Sequence, residues 1–267
     1  MIMGKTFIIA EAGSTWNWTS DCSLSRRRAM KMVQIAYHAG ADAVKFQWCS
    51  NPARMEQRRN VLAGSYGMLA WPEPWHGLLR DFASELGIEY MCTVYLPEDV
   101  ARIDPYIRRH KVASLELMDG LMWHEIGKTT KQVVCSFGAV GEHDMLKRPF
   151  CDNECVWLQC TASYPCSPDH VNLGVLRGDT CFDGLSDHTG NVVTGALAVA
   201  AGATMLEVHY RLDETPRNNP DFPHSHSPER LREYIANVRL AETMIGDGIK
   251  KVEPSEVAIL KHRVVTT

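Results

Sequence analysis

Eight short apolar runs, each closing on a polar residue, recur along this chain and constrain its fold more than any other feature. They are Phe7–Glu11, Ala43–Gln47, Glu89–Thr93, Lys111–Ser114, Val133–Ser136, Val156–Cys160, Gly184–Asp187 and Met205–His209. Their size and content of β-branched residues suit buried strands. Between several of them lie stretches of helical period, such as Leu24 to His38 before Gly40 and Trp75 to Leu86 before Gly87. In the last such stretch Ser227 suits the cap, Pro228 the first turn, and Leu231, Ile235, Val238 and Ile245 one buried face. Strand–helix alternation implies a parallel sheet, and eight strands fit a closed (β/α)8 TIM barrel better than an open one. The expectation is a single barrel domain over residues 1–267, with a shortened fifth helix region. Residues 141–153, with Pro149, several charges and little periodicity, predict a loop or a very short helix there.

Composition narrows the class. The chain has 267 residues, 45% of them hydrophobic and 22% charged, which is enough to bury a sizeable core and excludes a disordered tail or small stapled scaffold. A formal charge of −4 offers no cationic face to a nucleic acid. The longest apolar stretches, such as Val192 to Ala203, fall short of the ~18–20 residues a membrane span needs. The N-terminal apolar run is too short for a signal sequence, so a cytoplasmic protein is expected. Nine cysteines is an odd number, and Cys92, Cys135 and Cys160 sit in apolar runs, which favours reduced thiols. Cys151, Cys155, Cys160 and Cys166 lie close together but lack the two-residue spacing of zinc clusters. No repeat or linker divides the chain.

Active sites of such barrels lie at the carboxyl ends of the strands. There the sequence offers Glu11, Lys45, Gln47, Thr93, Lys111, Ser114, Glu116, Ser136, Tyr164, Ser186, Asp187, His188 and His209. A buried lysine is costly unless paired, so two strands each aiming a lysine into one cavity suggest a bound anion, with Thr93, Ser114, Ser136 and Ser186 completing a phosphate or carboxylate cradle. Alternatively, Lys45 and Lys111 reach solvent or pair with carboxylates at the rim. His188 and His209, on neighbouring strands, are within reach of one divalent metal, or are two unrelated hydrogen-bonded imidazoles. His224 and His226 fall in a Pro-flanked loop near the same mouth, whereas His38, His76 and His110 read as surface residues.

Several segments together resemble the sialic acid (N-acetylneuraminate) synthase family. They are Ile8-Ile9-Ala10-Glu11-Ala12-Gly13, Ala39-Gly40-Ala41-Asp42-Ala43-Val44-Lys45-Phe46-Gln47, Cys160-Thr161-Ala162-Ser163-Tyr164-Pro165, Gly184-Leu185-Ser186-Asp187-His188-Thr189, Gly202 to His209, and the closing Gly246-Asp247-Gly248-Ile249-Lys250 with Pro254-Ser255-Glu256. The resemblance runs in order over about residues 7–256. It implies a barrel enzyme that condenses phosphoenolpyruvate with an open-chain N-acylated sugar aldehyde, releasing phosphate and forming a nonulosonic acid. It also implies that Lys45, Thr93, Lys111, Ser114, Ser136 and Ser186 hold phosphoenolpyruvate. His188 and His209 would bind Mn2+ or Mg2+, a Lewis acid for the aldehyde. Glu116 would move a proton, Glu11 and Asp221 would orient sugar hydroxyls, and Tyr164 would complete the catalytic group. A salt bridge is the competing role for Glu116.

The departures gather on the acceptor side. Where the family usually carries Asn-His-Asn-Gly after the first strand, this chain has Thr15-Trp16-Asn17-Trp18, leaving Asn17, with Gln47, as a polar substrate contact. Ala162 replaces a common polar residue, Ser136-Phe137-Gly138 a Ser-Thr-Gly, and Thr93-Val94 a Thr-Pro. The family's C-terminal antifreeze-like domain is expected to be missing from a chain ending at Thr267. The expected activity is therefore a phosphoenolpyruvate-dependent transferase with an altered acceptor, acting alone or as a homodimer. A non-sugar or unusual aldehyde is one alternative, and a catalytically reduced barrel serving as a binding or scaffold subunit is another.

Overall fold

All eight expected strands form, and each pairs in parallel with its neighbours in sequence until the last meets the first. In the computed structural model, which describes residues 4–141, 144 and 152–264, they are β1 (Phe7–Glu11), β2 (Ala43–Trp48), β3 (Glu89–Val94), β4 (Arg109–Val112), β5 (Gln132–Phe137), β6 (Cys155–Cys160), β7 (Gly184–Asp187) and β8 (Met205–His209), closed as a barrel. The fourth strand ends earlier than predicted. Ser114–Glu116 instead form a 3-10 turn that carries both side chains across the rim.

The helices are α1 (Cys22–Ala39), α2 (Pro52–Arg59), α3 (Trp75–Leu86), α4 (Val100–Ile103), α5 (Gly120–Ile126), α6 (Thr194–Ala201) and α7 (Pro228–Ile245). Asp21 caps α1 by accepting from the Leu24 amide, and Gly40, at φ 90°, ends it in the left-handed conformation. Ser227 caps α7 by accepting from Arg230, with Pro228 in the first turn. Leu231, Ile235 and Val238 are buried as expected, but Ile245 is 36% exposed, in a last turn of α7 where Thr243 and Met244 are exposed as well. After β6 the chain takes two 3-10 turns, Pro168–His170 and Leu173–Leu176. The expectation for residues 141–153 lies largely outside the described residues.

Inside the barrel the two-residue period of the strands sorts the side chains into layers. Ile9, Ala43, Met91, Val134, Leu158 and Met205 form an apolar floor. Two positions further along the same strands stand Glu11, Lys45, Thr93, Ser136, Cys160 and Glu207, with Ser186 two beyond Gly184 on β7, all buried. The floor thus supports a polar layer at the carboxyl end. Gly184 permits this closure: a Cβ there would fall 1.8 Å from the Met205 carbonyl oxygen.

Two histidines read as surface residues are core residues instead. His76, on the inner face of α3, is fully buried, with Nδ1 2.7 Å from the Tyr90 hydroxyl and its ring edge-on to Trp48. His110 lies under Asp104, 2.9 Å from its carboxylate, on a strand covered on both faces. His38 is exposed. No helix among the described residues is long and apolar enough to cross a membrane.

Candidate active site

A cavity of about 370 Å³ opens at the carboxyl end of the barrel. Strand register explains its lining, because the pairs Glu11↔Lys45, Gln47↔Thr93, Thr93↔Lys111, Ser186↔Glu207 and Glu11↔His209 stand side by side on adjacent strands. Lys45 Nζ donates to Thr93 Oγ1 at 2.8 Å and lies 2.5 Å from Glu11 Oε2. Lys111 Nζ donates to Ser136 Oγ at 2.7 Å and to the Val112 carbonyl at 3.1 Å. Gln47 fixes the other oxygen of Glu11 at 2.7 Å.

Glu207 stands between the two ammoniums and was not singled out in the sequence. Its oxygens lie 3.6 Å from Lys45 and 3.7 Å from Lys111, while Ser186 Oγ donates to Oε1 at 3.0 Å. Burial pushes this carboxyl up, but Lys111, Lys45 and His209 outweigh burial and hold it down at about 2. Burial raises Glu11 to about 7 despite Lys45. Burial also lowers Lys111, against the pull of Glu207. Lys111 has no carboxylate within direct hydrogen-bonding distance among the described residues, so a second anion entering the cavity would find an ammonium only partly compensated.

Around the rim, Ser114 Oγ accepts from the Gly138 amide at 3.0 Å. Glu116 receives the guanidinium of Arg59, a residue of α2 that lies over the rings of Tyr66 and Tyr95 at 5.6 and 5.8 Å. Burial raises the Glu116 carboxyl, and Arg59 opposes that rise. Tyr164 is half-exposed at the opening, with its ring 4.3 Å from that of His188. Asn17 is not brought to this cavity. Its amide donates to the Met68 carbonyl at 2.8 Å, and the side chain faces a neighbouring cleft. The aromatic residues beside it explain the placement, since Trp16 packs edge-on against Phe46 and Trp71 and pins the turn outward.

The histidines converge at one side. His188 Nδ1 lies 3.0 Å from the Thr161 carbonyl, which assigns the proton to that nitrogen and leaves Nε2 as an acceptor. Its ring is 5.2 Å from that of His209. His209, Asp221 and His224 each offer one ligand atom, all within 4.8 Å of one another. Among the described residues, Nδ1 of His209 and both ring nitrogens of His224 are buried without a hydrogen-bond partner. Burial holds His209 and His224 down at about 3 and His188 at about 4, so the rings are neutral and their lone pairs available. This donor set fits a divalent ion. Asp221 is held in turn by Ser14, whose amide and hydroxyl both donate to Oδ2 at 2.7 Å. Gly13 allows that approach: it adopts φ 49°, and a Cβ there would meet Asp221 Oδ2 at 2.4 Å.

Residues 32–250 match the model of the NeuB family. The chain is 31% identical to the N,N'-diacetyllegionaminic acid synthase of Legionella pneumophila, over 97% of this chain and 79% of that protein. It is 29% identical to a pseudaminic acid synthase of Campylobacter jejuni, over 97% and 80%. Among solved structures, the N-acetylneuraminic acid (sialic acid) synthetase of Leptospira borgpetersenii superposes with a TM-score of 0.80 at 22% identity, covering 97% of this chain and 92% of that one.

Proposed function

This chain belongs to the NeuB family, and on that premise we propose that it condenses phosphoenolpyruvate with an aldehyde, in the first instance an N-acylated amino sugar, to give a nonulosonic acid and phosphate. The observation that carries the reading is the pair of buried ammoniums, Lys45 and Lys111, each bonded to a hydroxyl: Glu11 pairs with Lys45 at 2.5 Å, while Glu207, shared between the two, comes no nearer to Lys111 than 3.7 Å. Phosphoenolpyruvate, with its carboxylate and phosphate, supplies the anionic charge such a cradle lacks. The names of the relatives support an acylated amino-sugar acceptor.

In this reading Lys45, Thr93, Lys111, Ser114, Ser136 and Ser186 bind the enol phosphate and stabilise the charge that develops as phosphate leaves. C3 of the enol forms the new bond to the aldehyde carbon, water adds at C2, and the C2–O bond to phosphate breaks. Glu116 Oε2, buried and without a hydrogen-bond partner among the described residues, takes the proton of that water, and a proton is delivered to the alkoxide left on the former aldehyde oxygen, so that none is gained or lost overall. Glu11 and Gln47 orient the acceptor directly, Asp221 acts on its metal-facing side, and Tyr164 flanks it at the mouth. His188 and His209 would hold the divalent ion, Mn2+ or Mg2+, which when bound supplies Lewis-acid polarisation of the aldehyde oxygen.

The test is phosphate release from phosphoenolpyruvate with Mn2+ and a panel of aldehydes that includes N-acetylmannosamine. Release that requires an aldehyde and is lost in Lys45→Ala supports the proposal. No release above that variant with any aldehyde overturns it.

A further inference from the structure

His224 is not used by the proposed chemistry, yet it is 1% exposed and neither ring nitrogen has a hydrogen-bond partner among the described residues. Leaving a buried polar atom unsatisfied is costly, so an imidazole stranded at both nitrogens needs a reason. Its surroundings supply one. The 3-10 turn Phe222–His224, following Asp221, brings the ring to 4.6 Å from that of His209 and Nε2 to 3.7 Å from Asp221 Oδ1. Asp221 spends Oδ2 on Ser14, which leaves Oδ1 turned toward the histidine. The His188 ring stands 6.0 Å from His224, with Nδ1 engaged by Thr161.

We infer that His224 is a metal ligand, grouped with His209 and Asp221 beside His188, and that the resulting nitrogen-rich site selects a first-row transition ion over Mg2+. Mg2+ favours octahedral oxygen donors and gives up water reluctantly, whereas imidazole donors suit the transition ions. Two imidazoles converging with one carboxylate oxygen, and a third imidazole standing beside them, leave little of the oxygen shell that Mg2+ requires. The inference rests on the reading that an ion belongs here. It does not depend on phosphoenolpyruvate condensation, so its test is read without turnover.

Protein stripped with a chelator is titrated with Co2+, followed by its visible absorption bands, and challenged with Mg2+. Wild type is expected to bind Co2+ at least a hundredfold more tightly than Mg2+. His224→Ala should lose tenfold or more in Co2+ affinity with altered bands, and His224→Asp should narrow the preference over Mg2+ by exchanging nitrogen for oxygen. Thermal melting without metal identifies variants that fold. If His224→Ala does not, the His224→Asp titration decides alone. Co2+ binding and bands unchanged in a folded His224 variant, or Mg2+ competing at equal concentration with wild type, would overturn the inference.

Discussion

Arg59 donates to Oε1 of Glu116 while Oε2 of the same carboxylate is buried without a hydrogen-bond partner among the described residues. One oxygen is anchored and the other is held for use. Arg58 reaches Asp119 in parallel, so the end of α2 is fastened twice to the segment after β4. Arg59 also opposes the rise that burial imposes on Glu116. Replacing it, as in Arg59→Met, should push the Glu116 pKa further up and leave its carboxylate free to turn. If Glu116 works as a base, the acidic limb of the kcat/KM profile moves to higher pH and kcat falls by roughly 10²-fold. A pH–rate profile of the variant checks this; an unmoved limb would assign Arg59 to packing alone.

Lys111 differs from Lys45 in having no carboxylate within hydrogen-bonding distance among the described residues. An arriving anion should therefore gain most from Lys111. Truncation to alanine is expected to remove one charge-assisted hydrogen bond, about 1.5–3 kcal/mol, and so to raise the apparent KM for phosphoenolpyruvate roughly 10- to 100-fold while barely moving that for the aldehyde. Initial rates with each substrate varied in turn decide the matter. Equal changes in both constants would contradict an anion-holding role.

The barrel was legible in the sequence because each strand coincides with a buried run that carries a polar residue at or next to its carboxyl end, and that end is where the chemistry gathers. The period-2 rule that places Lys45 beside Gln47 also reaches Glu207 from His209. Glu207 was overlooked because Leu206 and Val208 flank it within an apolar strand. Arg59 was harder to see, since it sits on a connection whose path is set by packing rather than by local pattern; the sequence puts His224 near the mouth, but not its grouping with His209 and Asp221. Asn17 shows the converse: its sequence position suggested the cavity, but the indole packing of Trp16 turns it away. His76 was mistaken for a surface residue because residue type outweighed its position on the inner face of α3.

That histidine carries a prediction about stability. Burial, and secondarily Arg102, lowers the His76 pKa from 6.5 to about 3. Below pH 6.5 the unfolded chain takes up a proton that the folded chain refuses. The stabilisation is complete above pH 6.5 and is lost as pH falls toward 3, by up to about 1.4 kcal/mol per pH unit. Urea denaturation from pH 7 to pH 4 should show a shallower loss for His76→Phe than for the parent. Parallel curves would mean that the ring titrates in the folded protein as it does in the unfolded chain.

Glu207 tests whether the polar layer is a self-sufficient ion cluster or one poised for an added anion. It is the firmly ionised group between Lys45 and Lys111, and Glu207→Gln would leave those ammoniums buried with Glu11, whose own ionisation burial resists, as the nearest carboxyl. Removing one partner from a buried charge group typically costs about 3–5 kcal/mol, and a loss of that size is expected in urea denaturation of the variant. Inorganic phosphate should then restore more stability to the variant than it adds to the parent, because an anion bound by the folded state alone stabilises it by mass action. A cluster complete in itself would give equal gains from phosphate in both proteins, and the under-compensated lysine would lose its place as the attraction for phosphoenolpyruvate.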